Sequence, residues 1–142
     1  MIAYFDTSAI MALVLRVPPG HETAQTVWKD ADEVTTVHLA LVEVRAALTG
    51  ERWGGRLRPS RFDRAKALWA RMWEDMTVVF ADEELVAAAA KAAERLRLRG
   101  YDAIQLAAAW RSGCDLFVCS DARLLAAARG SSIAILDLNE VP

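Results

Sequence analysis

The chain has 142 residues, 54% hydrophobic and 25% charged, with a formal net charge of −2 and only two cysteines, Cys114 and Cys119. That length suits one domain around one core, the apolar fraction excludes a disordered chain, and no apolar run reaches the ~18 residues that a membrane span needs. A total this close to neutral offers no bulk argument for a nucleic-acid partner, and two cysteines make neither a disulfide framework nor a zinc-finger spacing.

In chain order, Ile2–Phe5 reads as a short apolar strand and Ala9–Leu15 as a short helix closed by Pro18-Pro19-Gly20. The start has no basic region or cleavage site of a signal peptide, so a reducing cytoplasm is the expected location. Glu22–Ala31 has helical spacing, and Val34–Val37 is β-branched and reads as a strand. Leu39–Leu48 reads as a helix ending at Thr49-Gly50, and Arg52–Pro59 as a loop. Ser60 is placed to cap a helix over Arg61–Asp75, whose stripe is Phe62, Ala65, Leu68, Trp69, Met72, Trp73 and Met76. Then follow a strand at Thr77–Phe80 and helices over Glu83–Leu98 and Asp102–Arg111. A strand at Leu116–Cys119, a helix over Ala122–Arg129 and a last strand at Ile133–Leu136 complete the chain. Short, continuously apolar strands alternating with helices predict an α/β fold. The expectation is one domain over residues 1–142, with a parallel sheet of about five strands buried on both faces.

Such a sheet binds its ligands beyond the C-terminal ends of the strands. Asp6 follows the first strand there, Asp121 nearly follows the fourth, Asp102 opens a helix, and Glu43 lies in the helix after the second strand. Taken singly, most have a plain structural reading. Asp6 or Ser8 can cap a helix, Asp102 with Gln105 has capping-box spacing, and Asp121 can cap the helix after it. Glu43 is different, because it sits among Leu39, Leu41, Val42 and Val44, and Arg45, two residues on, faces elsewhere. Four carboxylates at one edge would repel one another and could all stay ionised only with compensating cations. Mg²⁺ takes oxygen ligands and keeps several waters. His21 and His38 stand alone in their segments and offer no softer site.

The segments Ile2-Ala-Tyr-Phe-Asp6-Thr-Ser8-Ala, Leu41-Val-Glu43-Val-Arg-Ala-Ala-Leu48, Tyr101-Asp102-Ala-Ile-Gln-Leu-Ala-Ala-Ala109 and Phe117-Val-Cys-Ser-Asp121-Ala-Arg-Leu124 together resemble the four acidic blocks of a PIN domain. The resemblance runs from Met1 to about Leu138, and within the family it is closest to the ribonuclease toxins of VapBC toxin–antitoxin systems. It implies a Mg²⁺- or Mn²⁺-dependent nuclease acting on RNA. Asp6, Glu43, Asp102 and Asp121 would be the catalytic and metal-binding acids, holding one or two ions, with Ser8 supporting Asp6. It also implies a homodimer and a small VapB-type antitoxin. Two positions depart from the family pattern. Cys119 stands where Thr is common, with Ser120 beside it as another hydroxyl, and Gln105 stands where His is common. The chemistry fits, since carboxylate-bound ions can neutralise a phosphodiester, generate hydroxide near neutral pH and stabilise the leaving 3′ oxygen. The expected products carry 5′-phosphate and 3′-hydroxyl ends.

The neutral total conceals a basic middle. Arg45, Arg52, Arg56, Arg58, Arg61, Arg64, Lys66 and Arg71 are opposed there only by Glu51 and Asp63. Arg52, Arg56 and Arg58, with Trp53 among them, are the candidate RNA contacts, since guanidinium and a stackable ring can grip a backbone and a splayed base. Arg61, Arg64 and Arg71 lie opposite the apolar stripe and read either as further RNA contacts or as a solvated face, and Arg95, Arg97 and Arg99 read as cations suited to a helix C-terminus. Phe62, Trp69 and Trp73 offer more aromatic surface than one helix needs, which suggests a dimer interface. A response-regulator receiver is disfavoured because Asp6 has no acidic neighbour. A haloacid dehalogenase-type phosphatase is disfavoured because Ser8 stands where its second Asp would be. The remaining alternative is a non-catalytic PIN domain that binds RNA or assembles with partners.

Overall fold

The computed structural model describes residues 1–141. Five strands alternate with seven helices: β1 (Ile2–Phe5), α1 (Thr7–Leu15), α2 (His21–Asp30), β2 (Glu33–Val37), α3 (Ala40–Trp53), α4 (Pro59–Asp75), β3 (Thr77–Val79), α5 (Glu83–Leu96), α6 (Gly100–Ser112), β4 (Leu116–Cys119), α7 (Ala122–Ala128) and β5 (Ala134–Asp137). The strands form one sheet in the order β3-β2-β1-β4-β5, with every neighbouring pair parallel. The expected α/β architecture is therefore the one observed.

From β1 the chain steps outward to β2 and β3, then crosses back past β1 to β4 and on to β5. Right-handed crossovers in opposite directions put helices on opposite faces. The packing agrees: α1 touches α2, α3 and α4, whereas α6 lies on β2 and β3 and meets α5 and α7. Both faces are thus covered, which is why Ala3, Tyr4, Phe5, Phe117 and Val118 are all buried. Across the central pair, Tyr4 stands opposite Phe117 and their rings stack at 5.6 Å.

Two boundaries around the glycine-containing loop differ from the sequence expectation. α3 runs through Gly50 to Trp53, because the helix formers Glu51 and Arg52 continue past the glycine. The break falls instead at Gly54 and Gly55, the latter at φ 76°. α4 begins at Pro59, whose fixed φ suits the first helical position, so Ser60 is not its cap. The aromatic stripe of α4 is used inside the molecule. Trp69 is 2% exposed, Trp73 meets it edge-on at 5.5 Å, and Phe62 and Trp73 pack against the core. Those rings therefore give no argument for a dimer. Both cysteines are free and buried. Among the described residues no helix is long and apolar enough to cross a membrane.

Candidate active site

The strand order reverses between β1 and β4, and a crevice at such a point is where an open parallel sheet presents its ligand site. Asp6 ends β1 at this point. Its extended backbone caps α1, with Oδ1 accepting the Ala9 N–H at 2.9 Å. The residue is 3% exposed, so this cap is a buried carboxylate. Ser8 Oγ lies 2.7 and 2.9 Å from the two Asp6 oxygens and accepts the Ser120 N–H at 2.8 Å. Ser120 thus contributes its backbone here, not its hydroxyl. Cys119 Sγ lies 3.3 Å from Asp6 Oδ2 as donor and accepts the Asp121 N–H at 3.2 Å. Burial, with the Asp6 charge behind it, pushes the Cys119 thiol far up, so it stays a neutral donor.

Glu43 reaches the same edge from the first turn of α3. Thr7 donates to its Oε2 at 2.9 Å, and Gln105 Nε2 lies 3.4 Å from Oε1. Gln105 is 2% exposed and fully engaged. Its amide nitrogen donates to Thr7 at 2.9 Å and its carbonyl accepts the buried Tyr4 hydroxyl at 2.7 Å. Asp102 and Gln105 therefore form no capping box. α6 starts at Gly100 with Arg99 in the capping position and no side-chain cap. Asp121 does cap α7, through Oδ1 to the Arg123 and Leu124 N–H groups, leaving Oδ2 free for other contacts.

Arg99 links the remaining acids. Its Nε is 2.9 Å from Asp102 and another guanidinium nitrogen is 3.6 Å from Asp121. The sequence reading placed Arg99 at the end of the preceding helix. That helix stops at Leu96 under a left-handed Arg97, which frees Arg99 to enter the crevice. Thr7, Gln105, Cys119 and Arg99 make contacts at the acids that the sequence reading did not assign. Along the chain Thr7 and Arg99 are marked only by adjacency to Asp6 and Asp102, whereas Gln105 and Cys119 also stand at the two positions that depart from the PIN pattern.

Burial raises the Asp6 carboxyl to about 6, against the opposing bonds from Ser8, Ala9 and Cys119. Burial also raises Glu43, opposed by Thr7 and Gln105 and reinforced by the charges of Asp6 and Asp102. The acids thus sense one another. Among the described residues neither Asp6 nor Glu43 has a cationic partner, and Arg99 is the one cation paired to Asp102 and Asp121.

This donor set fits a hard divalent cation. It is all carboxylate oxygen, it carries excess negative charge, and Cys119 remains a thiol. No three His, Cys, Asp or Glu side chains among the described residues form a finished ion cage. An ion that keeps several of its waters needs only one or two carboxylates.

The RNA-contact candidates lie apart from this cluster. Arg52 is in the last turn of α3 over the Trp53 ring at 5.2 Å, and Trp53 is 79% exposed. Arg56 pairs with Glu51 at 2.9 Å, and Arg58 precedes α4.

The PIN domain model matches residues 3–130, and the chain belongs to the PIN domain family. Its kin there include Ribonuclease VapC45 of Mycobacterium tuberculosis, 34% identical over 116 residues that cover 79% of this chain and 77% of that protein. Among solved structures, PAE2754 from Pyrobaculum aerophilum superposes with a TM-score of 0.71 at 24% identity, covering 98% of this chain and 90% of that one. The DNA-bound VapBC from Salmonella typhimurium superposes with a TM-score of 0.67 at 16% identity, covering 97% and 98%.

Proposed function

We propose that the chain is a Mg²⁺- or Mn²⁺-dependent endoribonuclease, the toxin of a VapBC-type pair, working at the crevice of Asp6, Glu43, Asp102 and Asp121. The observation that carries this reading is the convergence of Asp6 and Glu43, both desolvated and without a cation, on the point where Arg99 joins Asp102 to Asp121. The 34% identity to a protein named a ribonuclease supports RNA as the substrate.

Asp6 and Glu43 would hold the ion first, with Asp102 and Asp121 joining once Arg99 moves. When bound, such an ion supplies charge neutralisation at the phosphodiester and a lowered pKa for water. The protein's own contribution is orientation. Ser8, the Ala9 N–H and Cys119 fix both oxygens of Asp6, and Thr7 and Gln105 fix Glu43. With those donors in place Asp6 and Glu43 need no reorganisation when a cation and a phosphate arrive. Arg99, exposed at the mouth, can exchange its carboxylate partners for a phosphate oxygen. On this reading the partners are a VapB-like antitoxin and a second copy of the chain, and the substrate is cytoplasmic RNA.

The Arg99 ion pairs and the unfinished cage also favour a second reading, a PIN domain that binds RNA or assembles without cutting. Incubating RNA with wild type, Asp6→Asn and Asp102→Asn in Mn²⁺ separates the two. The nuclease reading expects cleavage by wild type alone, abolished by excess EDTA. Cleavage persisting in both variants would remove the carboxylate mechanism, and none in wild type would favour the second reading. Calorimetric titration with Mn²⁺ adds a check that needs no RNA, since a catalytic site should bind the ion and Asp6→Asn should weaken it.

A further inference from the structure

A cleft of about 450 Å³ lies between the C-terminal end of α1 and one side of α4. Arg16, Arg61, Arg64 and Arg71 line it over an apolar floor that includes Val14 and Leu68, and no carboxylate lines it. The sequence suggested that Arg61, Arg64 and Arg71 lie opposite the apolar stripe of α4. They lie instead along its border, because positions 61, 64, 68 and 71 share one helix face and Leu68 belongs to the stripe. Arg16 joins them from the left-handed residue that ends α1, at φ 55°.

One of the four has a structural duty. Arg61 donates to the Leu15 carbonyl at 3.0 Å and so caps the negative end of α1. Among the described residues Arg16, Arg64 and Arg71 have no carboxylate within ion-pair distance, and all three are exposed. Like charges gathered around one cleft repel each other, so a fold gains nothing by this arrangement unless an anion enters it. The guanidinium group is suited to planar, bidentate contact with phosphate, and the apolar floor supports the arginine stems.

We infer that this cleft is a phosphate-binding subsite for the RNA strand, separate from the carboxylate crevice. It rests on the ribonuclease reading in taking RNA as the polyanion. Asp6 caps one end of α1 and Arg16 the other, so the subsite and the acids are about 15 Å apart along one helix. A strand held there is anchored several nucleotides from the cut bond. This site adds to affinity and to the choice of long over short substrates, and it leaves the chemical step alone. The cleft adds to the candidate contacts at Arg52 and Arg56, of which Arg52 lies over the Trp53 ring and Arg56 pairs with Glu51.

The test uses the double variant Arg64→Gln/Arg71→Gln, whose side chains are exposed and unpaired, beside the charge-matched control Lys29→Gln/Lys91→Gln. Binding of a fluorescent oligouridine is measured by anisotropy in EDTA over a range of salt, so no hydrolysis is required. Each phosphate contact contributes about 0.7 to the slope of log affinity against log salt for a single strand. The expected result is a slope shallower by about 1.4 in the double variant, with the control matching wild type. In Mn²⁺ the same variant should show a raised KM for long RNA and an unchanged kcat.

Equal slopes in wild type and the double variant would overturn the subsite. So would a polyglutamate peptide that binds wild type but not the variant while RNA binding stays the same, which would assign the cleft to an acidic protein segment. A wild type that cleaves RNA with no slope difference sinks the subsite alone. A wild type that shows the slope difference and does not cut in Mn²⁺ supports the subsite and sinks the nuclease reading.

Discussion

Arg99 and Asp102 form an ion pair at 2.9 Å across the first turn of α6, at the mouth of the acidic crevice. The same guanidinium reaches Asp121, so one exposed cation offsets two acids that lie far apart in sequence. On the metal-dependent reading proposed above, Arg99 would compete with a cation for those carboxylates.

Replacing Arg99 with Ala should therefore strengthen Mn²⁺ binding in the absence of RNA, by roughly two- to fivefold for an exposed pair. RNA affinity should fall in the same variant, because a phosphate contact is lost. Calorimetry with Mn²⁺ and anisotropy with RNA read the two effects separately. Weaker Mn²⁺ binding in the variant would mean that Arg99 positions the acids instead of competing for them.

Asp6 links stability to pH. Its folded-state carboxyl is raised from 3.8 to about 6, so the fold prefers the protonated form more than the unfolded chain does. Stability contributed by that preference is present at low pH, declines as pH rises from about 4 to 6, and is gone above that window. Asp6→Asn removes the buried charge, and should gain about 1–2 kcal/mol over wild type near pH 8 after its altered hydrogen bonds are counted. Near pH 4 the gain should vanish. Thermal unfolding at the two pH values checks this, and a variant less stable at both would contradict it.

Gln105 satisfies three groups at once: Tyr4, Thr7 and Glu43. Gln105→Leu leaves the fully buried Tyr4 hydroxyl without an acceptor. The expected loss is about 1–3 kcal/mol, read as a lower urea midpoint at unchanged m. An unchanged midpoint would show that Tyr4 finds another partner.

Gly20 marks where the C-terminal segment closes on the body of the fold. A Cβ at this position would lie 2.6 Å from Leu138 Cβ and 2.8 Å from the Leu138 carbonyl oxygen. Gly20→Ala must displace backbone as well as side chain, and should cost about 1–3 kcal/mol. Gly50→Ala, where a Cβ meets nothing, should instead stabilise α3 by up to about 1 kcal/mol. Chemical denaturation of both variants tests the pair, and the two shifts should have opposite signs.

Much of this fold is legible along the chain, because a strand buried on both faces must be a short apolar run and a helix must close its ends. Ile2–Phe5 and Leu116–Cys119 are found where their composition places them. Glycine is a weaker guide. Gly50 lies inside a helix, and the true stop at Gly54 depends on the loop that follows. The four acids are legible as positions, because each falls next to a strand end or a helix start that the pattern locates.

The sequence by itself determined an α/β fold with a parallel sheet, the acidic positions beside its strand ends and helix starts, and the concealment of an arginine-rich middle within a net charge of −2. These follow from local pattern, which a linear chain carries. Tertiary structure alone decided which charges face which. It buried Asp6 among Ser8, Ala9 and Cys119, gave Gln105 to Tyr4 and Glu43, and turned Arg99 into the crevice. It also gathered Arg16 with Arg61, Arg64 and Arg71. Coulomb energy depends on distance and on local dielectric, and both are set by packing between segments many residues apart.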